Sequence, residues 1–76
     1  MNKQRRKEIE EIADQMQELR DRLESIMDEE QDAYDNLPEG FQCSERGEAM
    51  EDAIDNLNSA LDGIDEVLDY MQSAVE

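Results

Sequence analysis

Apolar residues recur along this chain at alternating spacings of three and four positions, in two long segments. In the first segment they lie at Ile9, Ile12, Met16, Leu19, Leu23 and Ile26. In the second segment they lie at Met50, Ile54, Leu57, Leu61, Ile64, Leu68, Met71 and Val75. This spacing is typical of helices that pack along one continuous seam. The sequence therefore predicts helices at about 3–35 and 44–75, joined by a turn at 36–43.

The two seams match each other if the chain folds back on itself. Residues paired in order, beginning with Ile9 and Met71, have numbers that add to 80. The centre of that register is Gly40, and glycine adopts positive φ without a Cβ clash. Pro38 disfavours helix just before it. We therefore predict an all-α fold, an antiparallel, coiled-coil-like hairpin of two helices that spans 1–76 as a single unit.

The second helix carries an additional apolar stripe beside its seam. The stripe consists of Ala53, Ala60, Val67 and Ala74. Three apolar positions per heptad cover a wider face than one partner helix can bury. With one cysteine and no histidine, a hairpin this small has no disulfide or zinc site to stabilise it. We therefore interpret the stripe as the interface of a homo-oligomer, a dimer that forms a four-helix bundle; the alternative is that alanine serves helix propensity alone.

Three further details are expected close to the turn. Glu30 takes a seam position near the turn, with Arg46 as the base within reach, so we expect the two to pair. Cys43 falls in the seam and is expected to be a small buried hydrophobe. Ser44 is a favourable N-cap for the second helix.

Charge is distributed unevenly along the chain. Residues 24–76 hold seventeen acids and one base, which accounts for the whole formal net charge of −16, whereas residues 1–23 hold six of each. The hairpin would gather many of the acids at its turn, in an acidic tip that is the candidate partner-binding site. We define this acidic tip as Asp28, Glu29, Asp32, Asp35, Glu39, Glu45, Glu48 and Asp52. Such a surface repels nucleic acid and anionic membrane and attracts basic protein surfaces.

A short basic run opens the chain and consists of Lys3, Arg5, Arg6 and Lys7. A nucleic-acid-binding arm is one interpretation. Charge matching is favoured, since Glu10 and Glu11 follow at helical spacing and the acidic end of the second helix lies alongside.

No pattern indicates catalysis or a cofactor. The chain has no histidine, no glycine-rich phosphate loop and no positioned nucleophile, so we predict a protein that is not an enzyme. Acids at 28, 30, 32 and 39 have the spacing of a calcium loop, but Ala33 stands where glycine is required, so no metal site is predicted. No apolar run approaches the roughly 20 residues of a membrane span. We expect a cytoplasmic protein without membrane contact.

The turn region resembles that of a known family. The resemblance rests on Asp28-Glu29-Glu30-Gln31-Asp32-Ala33-Tyr34-Asp35-Asn36-Leu37-Pro38-Glu39-Gly40-Phe41-Gln42, followed by Ser44-Glu45-Arg46-Gly47-Glu48. It is similar to small, uncharacterised, acidic helical proteins of Gram-positive gut bacteria and their phages and mobile elements. The resemblance implies an accessory protein of a phage or mobile element, and no activity, cofactor or catalytic residue. Polar turn residues such as Asn36 and Gln42 form a partner surface or cap the helices; capping is favoured.

Two functions fit these features. The first is a non-enzymatic protein–protein interaction or assembly module whose acids keep the bundle in solution. The second is a nucleic-acid-mimicking inhibitor whose acidic tip blocks the basic groove of a DNA- or RNA-handling enzyme. Duplex DNA carries a charge about every 1.7 Å, and carboxylates along a helix approximate such a row. The first function is preferred.

Overall fold

Two long helices joined by a short turn make up the protein in the computed structural model, which describes residues 1–76. Helix α1 comprises Lys3–Asp35 and helix α2 comprises Glu45–Val75, with one 3₁₀ turn at Phe41–Cys43 between them. The chain contains no strand, and the molecule is a rod of 58 × 15 × 13 Å. The predicted all-α helical hairpin is confirmed.

Residues within the turn determine where both helices end. Asn36 closes α1, because its backbone N–H and its side-chain Nδ2 both donate to the carbonyl oxygen of Asp32, at 3.0 and 2.8 Å. Gly40 has a φ of 90°, in the left-handed region that glycine adopts without a steric penalty. Ser44 begins α2, and its Oγ accepts a hydrogen bond from the N–H of Gly47 at 3.2 Å. The predicted N-cap is therefore confirmed.

The turn is also held against the helices that it joins. Gln42 Nε2 donates to the carbonyl oxygen of Tyr34 at 3.2 Å, which ties the turn to the last residues of α1. Gly47 is buried under the turn, where a Cβ would lie 2.6 Å from the carbonyl oxygen of Phe41 and closer still to that of Gln42. Both neighbours are backbone atoms, so only glycine fits there. Asn36, Gln42 and Ser44 thus act as caps and ties, as the favoured interpretation predicts.

Helix α2 packs on α1 along the seam that its sequence predicts. Ile54 and Leu61 are the most buried side chains, with 6% and 4% of their surface exposed. The other seam positions are partly buried: Met50, Leu57, Ile64, Leu68, Met71 and Val75. The core is thus one line of side chains between two helices.

Helix α1 presents a different face to α2 from the one that its apolar pattern predicts. Ile12, Leu19 and Ile26, expected in the seam, are 50%, 57% and 55% exposed. The partly buried residues are instead those that follow each of them in the sequence: Ala13, Arg20 and Met27. Because successive helical residues are about 100° apart, this change corresponds to a rotation of α1 by about 50° about its axis. The predicted composition of the α1 seam is therefore wrong at every second position.

The register changes together with the rotation. Partly buried residues of the two helices pair in order, beginning with Ile9 and Val75, and their numbers add to 84 instead of 80. The centre of the hairpin is therefore Gln42, two residues beyond Gly40. The 3₁₀ turn of Phe41–Cys43 lengthens the connection after Gly40 and so moves the point at which the chain reverses.

Two further expectations depended on the predicted register and are wrong. Glu30 is partly buried and does not pair with Arg46; every ion pair of the protein involves Arg20. In the observed register Glu30 is level with Ile54, which is eight residues, or about 12 Å of helix, from Arg46. Cys43 is exposed, because the 3₁₀ turn places it at the end of the rod.

Candidate interaction surfaces

One edge of the hairpin carries a group of charged side chains centred on Arg20. Arg20 Nε donates to Asp65 Oδ1 at 2.6 Å and its Nη2 donates to Asp65 Oδ2 at 3.1 Å, a two-point pairing between the helices. Arg20 Nη1 donates to Glu24 Oε2 at 2.6 Å within α1. Only 19% of the Arg20 side chain is exposed. Such bidentate pairs are directional as well as strong, so this group fixes α1 against α2 at the middle of the rod.

The ionisation of this group follows from its hydrogen bonds. The bonds to Asp65 and Glu24 raise the pKa of Arg20 above its ordinary value, against a smaller effect of desolvation. The bond from Arg20 holds the pKa of Asp65 below its ordinary value. Both shifts favour the charged pair, so the contact is intact at neutral pH.

The opposite edge of the hairpin is apolar along most of its length. On α1 it contains Ile12, Leu19 and Ile26, and on α2 it contains the predicted stripe. All of these residues are exposed: Ile12, Leu19, Ile26, Ala53, Ala60, Val67 and Ala74. We call these seven residues the apolar face.

Helical geometry places both halves of the apolar face on the same edge. Asp65 follows the seam residue Ile64 by one position, whereas Ala60 precedes the seam residue Leu61 by one position, so Asp65 and Ala60 flank the α2 seam on opposite sides. On α1 the row that contains Leu19 lies on the side away from the one to which the Arg20 group points. Because the two helices are antiparallel, the side of α1 that holds Leu19 and the side of α2 that holds Ala60 face the same way. The two rows therefore lie next to each other.

The acidic tip lies at the end of the rod formed by the turn and the adjoining helical turns. All of its residues are exposed and none is in an ion pair: Asp28, Glu29, Asp32, Asp35, Glu39, Glu45, Glu48 and Asp52. Tyr34 is partly buried among these acids. Its pKa is raised by desolvation first and then by electrostatic interaction with Glu51, Cys43 and Asp35. The structure thus brings the predicted acids together at one end and leaves them unneutralised.

The other end of the rod carries the basic run. Its four members are exposed and in no ion pair: Lys3, Arg5, Arg6 and Lys7. None of them forms an ion pair with Glu10 or Glu11, which follow at helical spacing. The rod has unpaired bases at one end and unpaired acids at the other.

The other features to consider are the calcium-like spacing of acids, any cavity in the surface and any membrane-spanning helix. Acids 28, 30 and 32 of the calcium-like spacing lie inside α1, which does not form a ligand loop, and no cluster of three or more His, Cys, Asp or Glu is arranged to hold a metal ion. The surface has no cavity. Neither helix combines the length and the apolar character needed to cross a membrane.

Arg20 is the residue that the sequence interpretation missed. A signal was present, since Ile9, Ala13, Met16, Arg20, Leu23 and Met27 also follow alternating spacings of three and four. That second series shares every other member with the first, but it contains the charged Arg20 and is the less apolar of the two. No protein-family model, curated protein or solved structure matches the chain. Any function is therefore inferred from the apolar face and the two charged ends.

Proposed function

We propose that this protein is a non-enzymatic interaction and assembly module, an accessory protein of a phage or mobile element that acts in the cytoplasm. Two hairpins dimerise through the apolar face into a four-helix bundle, and the acidic tip meets a basic surface of a partner protein. The observation that carries the proposal is the exposure of Ile12, Leu19 and Ile26 in the single hairpin. A lone exposed thiol, Cys43, suits a reducing compartment.

The accessible surface supports association. The hairpin exposes 5877 Å² for a mass of 8.8 kDa. A compact monomer of that mass exposes about 4,800 Å² by the general scaling of surface with mass. The excess of roughly 1,100 Å² exceeds the roughly 800 Å² that each partner contributes to a standard protein interface. A second copy that covers the apolar face would remove most of this excess.

The energy of burial points the same way. Full burial of a Leu or Ile side chain stabilises by about 1.5–3 kcal/mol, so covering a half-exposed one contributes roughly 1 kcal/mol. Ile12, Leu19 and Ile26 recur every seven residues, about 10 Å apart along α1, and so form one continuous row. The small residues beside them on α2 let a second helix approach closely.

Light scattering and sedimentation of the wild-type chain test this proposal directly. We expect a dimer at micromolar concentration. Leu19→Glu places a charge in the apolar face and should yield a monomer, whereas Gln17→Glu adds the same charge on the other side of α1 and should leave the dimer intact. Ala60→Glu and Ser59→Glu form the corresponding pair on α2. A wild-type chain that is monomeric throughout the micromolar range would disprove the dimer.

The second candidate function is the nucleic-acid-mimicking inhibitor, and the unpaired acids of the tip favour it. A tagged pull-down from bacterial lysate at low and high salt tests it, with captured proteins identified by mass spectrometry. The tip variant is D28N/D32N/E48Q/D52N, and the matched control neutralises four acids near the other end, E8Q/E10Q/E11Q/D69N. Capture of a DNA- or RNA-handling enzyme at low salt, lost in the tip variant alone, would support mimicry. Equal capture by both variants would contradict it.

A further inference from the structure

We infer that the second copy binds in the antiparallel orientation, with the acidic tip of each hairpin beside the basic end of the other. The inference rests on the proposed dimer and adds its orientation. Its consequence is a single four-helix rod that displays an acidic tip at both ends. The dimer is therefore a divalent ligand for basic protein surfaces.

The positions of the exposed rows permit one two-fold axis across the rod. The row on α1 is centred on Leu19, midway between Ile12 and Ile26. The row on α2, from Ala53 to Ala74, is centred between residues 63 and 64, which the observed register places level with residues 20 and 21 of α1. The two centres differ by about 2 Å along the rod. A two-fold axis through this level brings each row of one hairpin against the same row of the second copy, as an isologous interface requires.

The residues brought together are compatible in size and character. About this axis Leu19 meets Leu19 of the second copy, and Ile12 meets Ile26 of the second copy. On α2, Ala60 meets Val67 of the second copy. Arg5, one heptad before Ile12, lies level with the acidic tip of the second copy. All neighbouring helices in this bundle are antiparallel, which is the common arrangement of four-helix bundles.

The charge distribution selects this orientation over the parallel one. Residues 24–55 hold twelve acids and one base, a net charge of −11. At the other end, residues 1–12 hold four bases and three acids and residues 66–76 hold three acids, a net charge of −2. A parallel dimer places −11 beside −11. The antiparallel dimer places −11 beside −2 and brings unpaired bases next to unpaired acids.

Screening does not remove this preference. The Debye length at physiological salt is about 8 Å, similar to the 8–10 Å between the axes of packed helices. Charges on neighbouring hairpins therefore still interact, whereas charges at opposite ends of a 58 Å rod do not. In the parallel form the two acidic tips lie side by side and repel each other. In the antiparallel form the two tips are too far apart to interact.

The single cysteine at the tip makes the orientation measurable. A nitroxide spin label on Cys43 reports the distance between the tips by pulsed electron paramagnetic resonance, and light scattering of the labelled protein confirms that the dimer is intact. The antiparallel dimer gives a distance of about 60 Å, from the helix length between Leu19 and the tip in each copy. The parallel dimer gives less than about 20 Å. A dimer with the short distance overturns the orientation and leaves the proposed function standing, whereas a monomer overturns both.

A disulfide at the axis provides a second measurement. In a C43S/L19C chain the antiparallel dimer brings the two new thiols together, and mild oxidation should cross-link most of the protein. In a C43S/S59C chain the thiol lies on the outer surface of α2, and oxidation should give little cross-linking. Comparable cross-linking in the two chains, or none in the first chain while it remains dimeric, would contradict the antiparallel orientation.

Discussion

Arg20 and Asp65 are 45 residues apart in the sequence, and their side chains meet at 2.6 Å between Nε and Oδ1. The two residue numbers add to 85, one more than the 84 of the burial pattern and five more than the 80 of the apolar pattern. The pair thus lies where the observed register requires it. In the register predicted from the apolar residues, Arg20 would be level with Ala60, more than a helical turn from Asp65.

Removing Arg20 should destabilise the hairpin more than removing a neighbouring base. Arg20→Gln deletes the link between α1 and α2 and leaves Asp65 and Glu24 as unpaired like charges. Arg22 is exposed and in no ion pair, so Arg22→Gln is the matched control. We expect a lower melting temperature for Arg20→Gln, measured by circular dichroism, and little change for Arg22→Gln. Adding Asp65→Asn to Arg20→Gln should restore part of the loss. Equal melting of the two single variants would show that the pair has no role in stability.

The contribution of the pair should disappear at acidic pH. Since Arg20 lowers the pKa of Asp65 in the folded state, the stabilisation is complete above the ordinary aspartate pKa of about 3.9. It is then lost as the pH falls through the lower value of the folded state. The difference in melting temperature between wild type and Asp65→Asn should therefore be constant from about pH 7 to pH 5 and should close below about pH 4.

Taking this difference cancels the effect of protonating the other acids, which relieves repulsion in both proteins. A difference that stays the same down to about pH 2 would mean that Asp65 acts by packing and not by charge.

Leu61 and Leu19 should respond differently to truncation. Leu61 is buried between the helices, so Leu61→Ala should cost about 2–5 kcal/mol of unfolding free energy at every protein concentration. Leu19 is 57% exposed in the hairpin, so the cost of Leu19→Ala should shrink as the protein is diluted below the dissociation constant of the proposed dimer. Urea unfolding at several concentrations measures both. A concentration-independent loss at Leu19 as large as that at Leu61 would support the α1 seam that the apolar pattern predicts.

The glycines of α2 should give changes of opposite sign. Gly47→Ala forces a Cβ against the backbone of the turn, so we expect a loss of about 1–3 kcal/mol of unfolding free energy. Gly63 has open space around its Cβ position, so Gly63→Ala should stabilise the helix by about 0.5–1 kcal/mol. Chemical denaturation of the two variants measures both changes. Tolerance of alanine at 47 would show that the turn moves away from α2 at little cost.

The helices and the turn of this fold are predictable from the sequence, because each of them depends on local chemistry. The alternating spacing in α2 predicted its seam, and the structure buries Ile54 and Leu61 there. The roles of Gly40 and Ser44 follow from backbone and capping preferences that involve only nearby residues. The gathering of the acids at one end also followed, since a hairpin brings the sequence on both sides of its turn together.

The face of α1 that meets α2, and the register between the two helices, are not predictable in the same way. The α1 sequence holds two overlapping series with the same spacing, one through Leu19 and one through Arg20, and both share Ile9 and Leu23. A rotation of about 50° and a shift of half a heptad convert one into the other while the α2 seam stays the same. Periodic patterns do not distinguish such arrangements. The choice depends on contacts between residues distant in sequence: the ion pair of Arg20 and the close fit of the turn over α2.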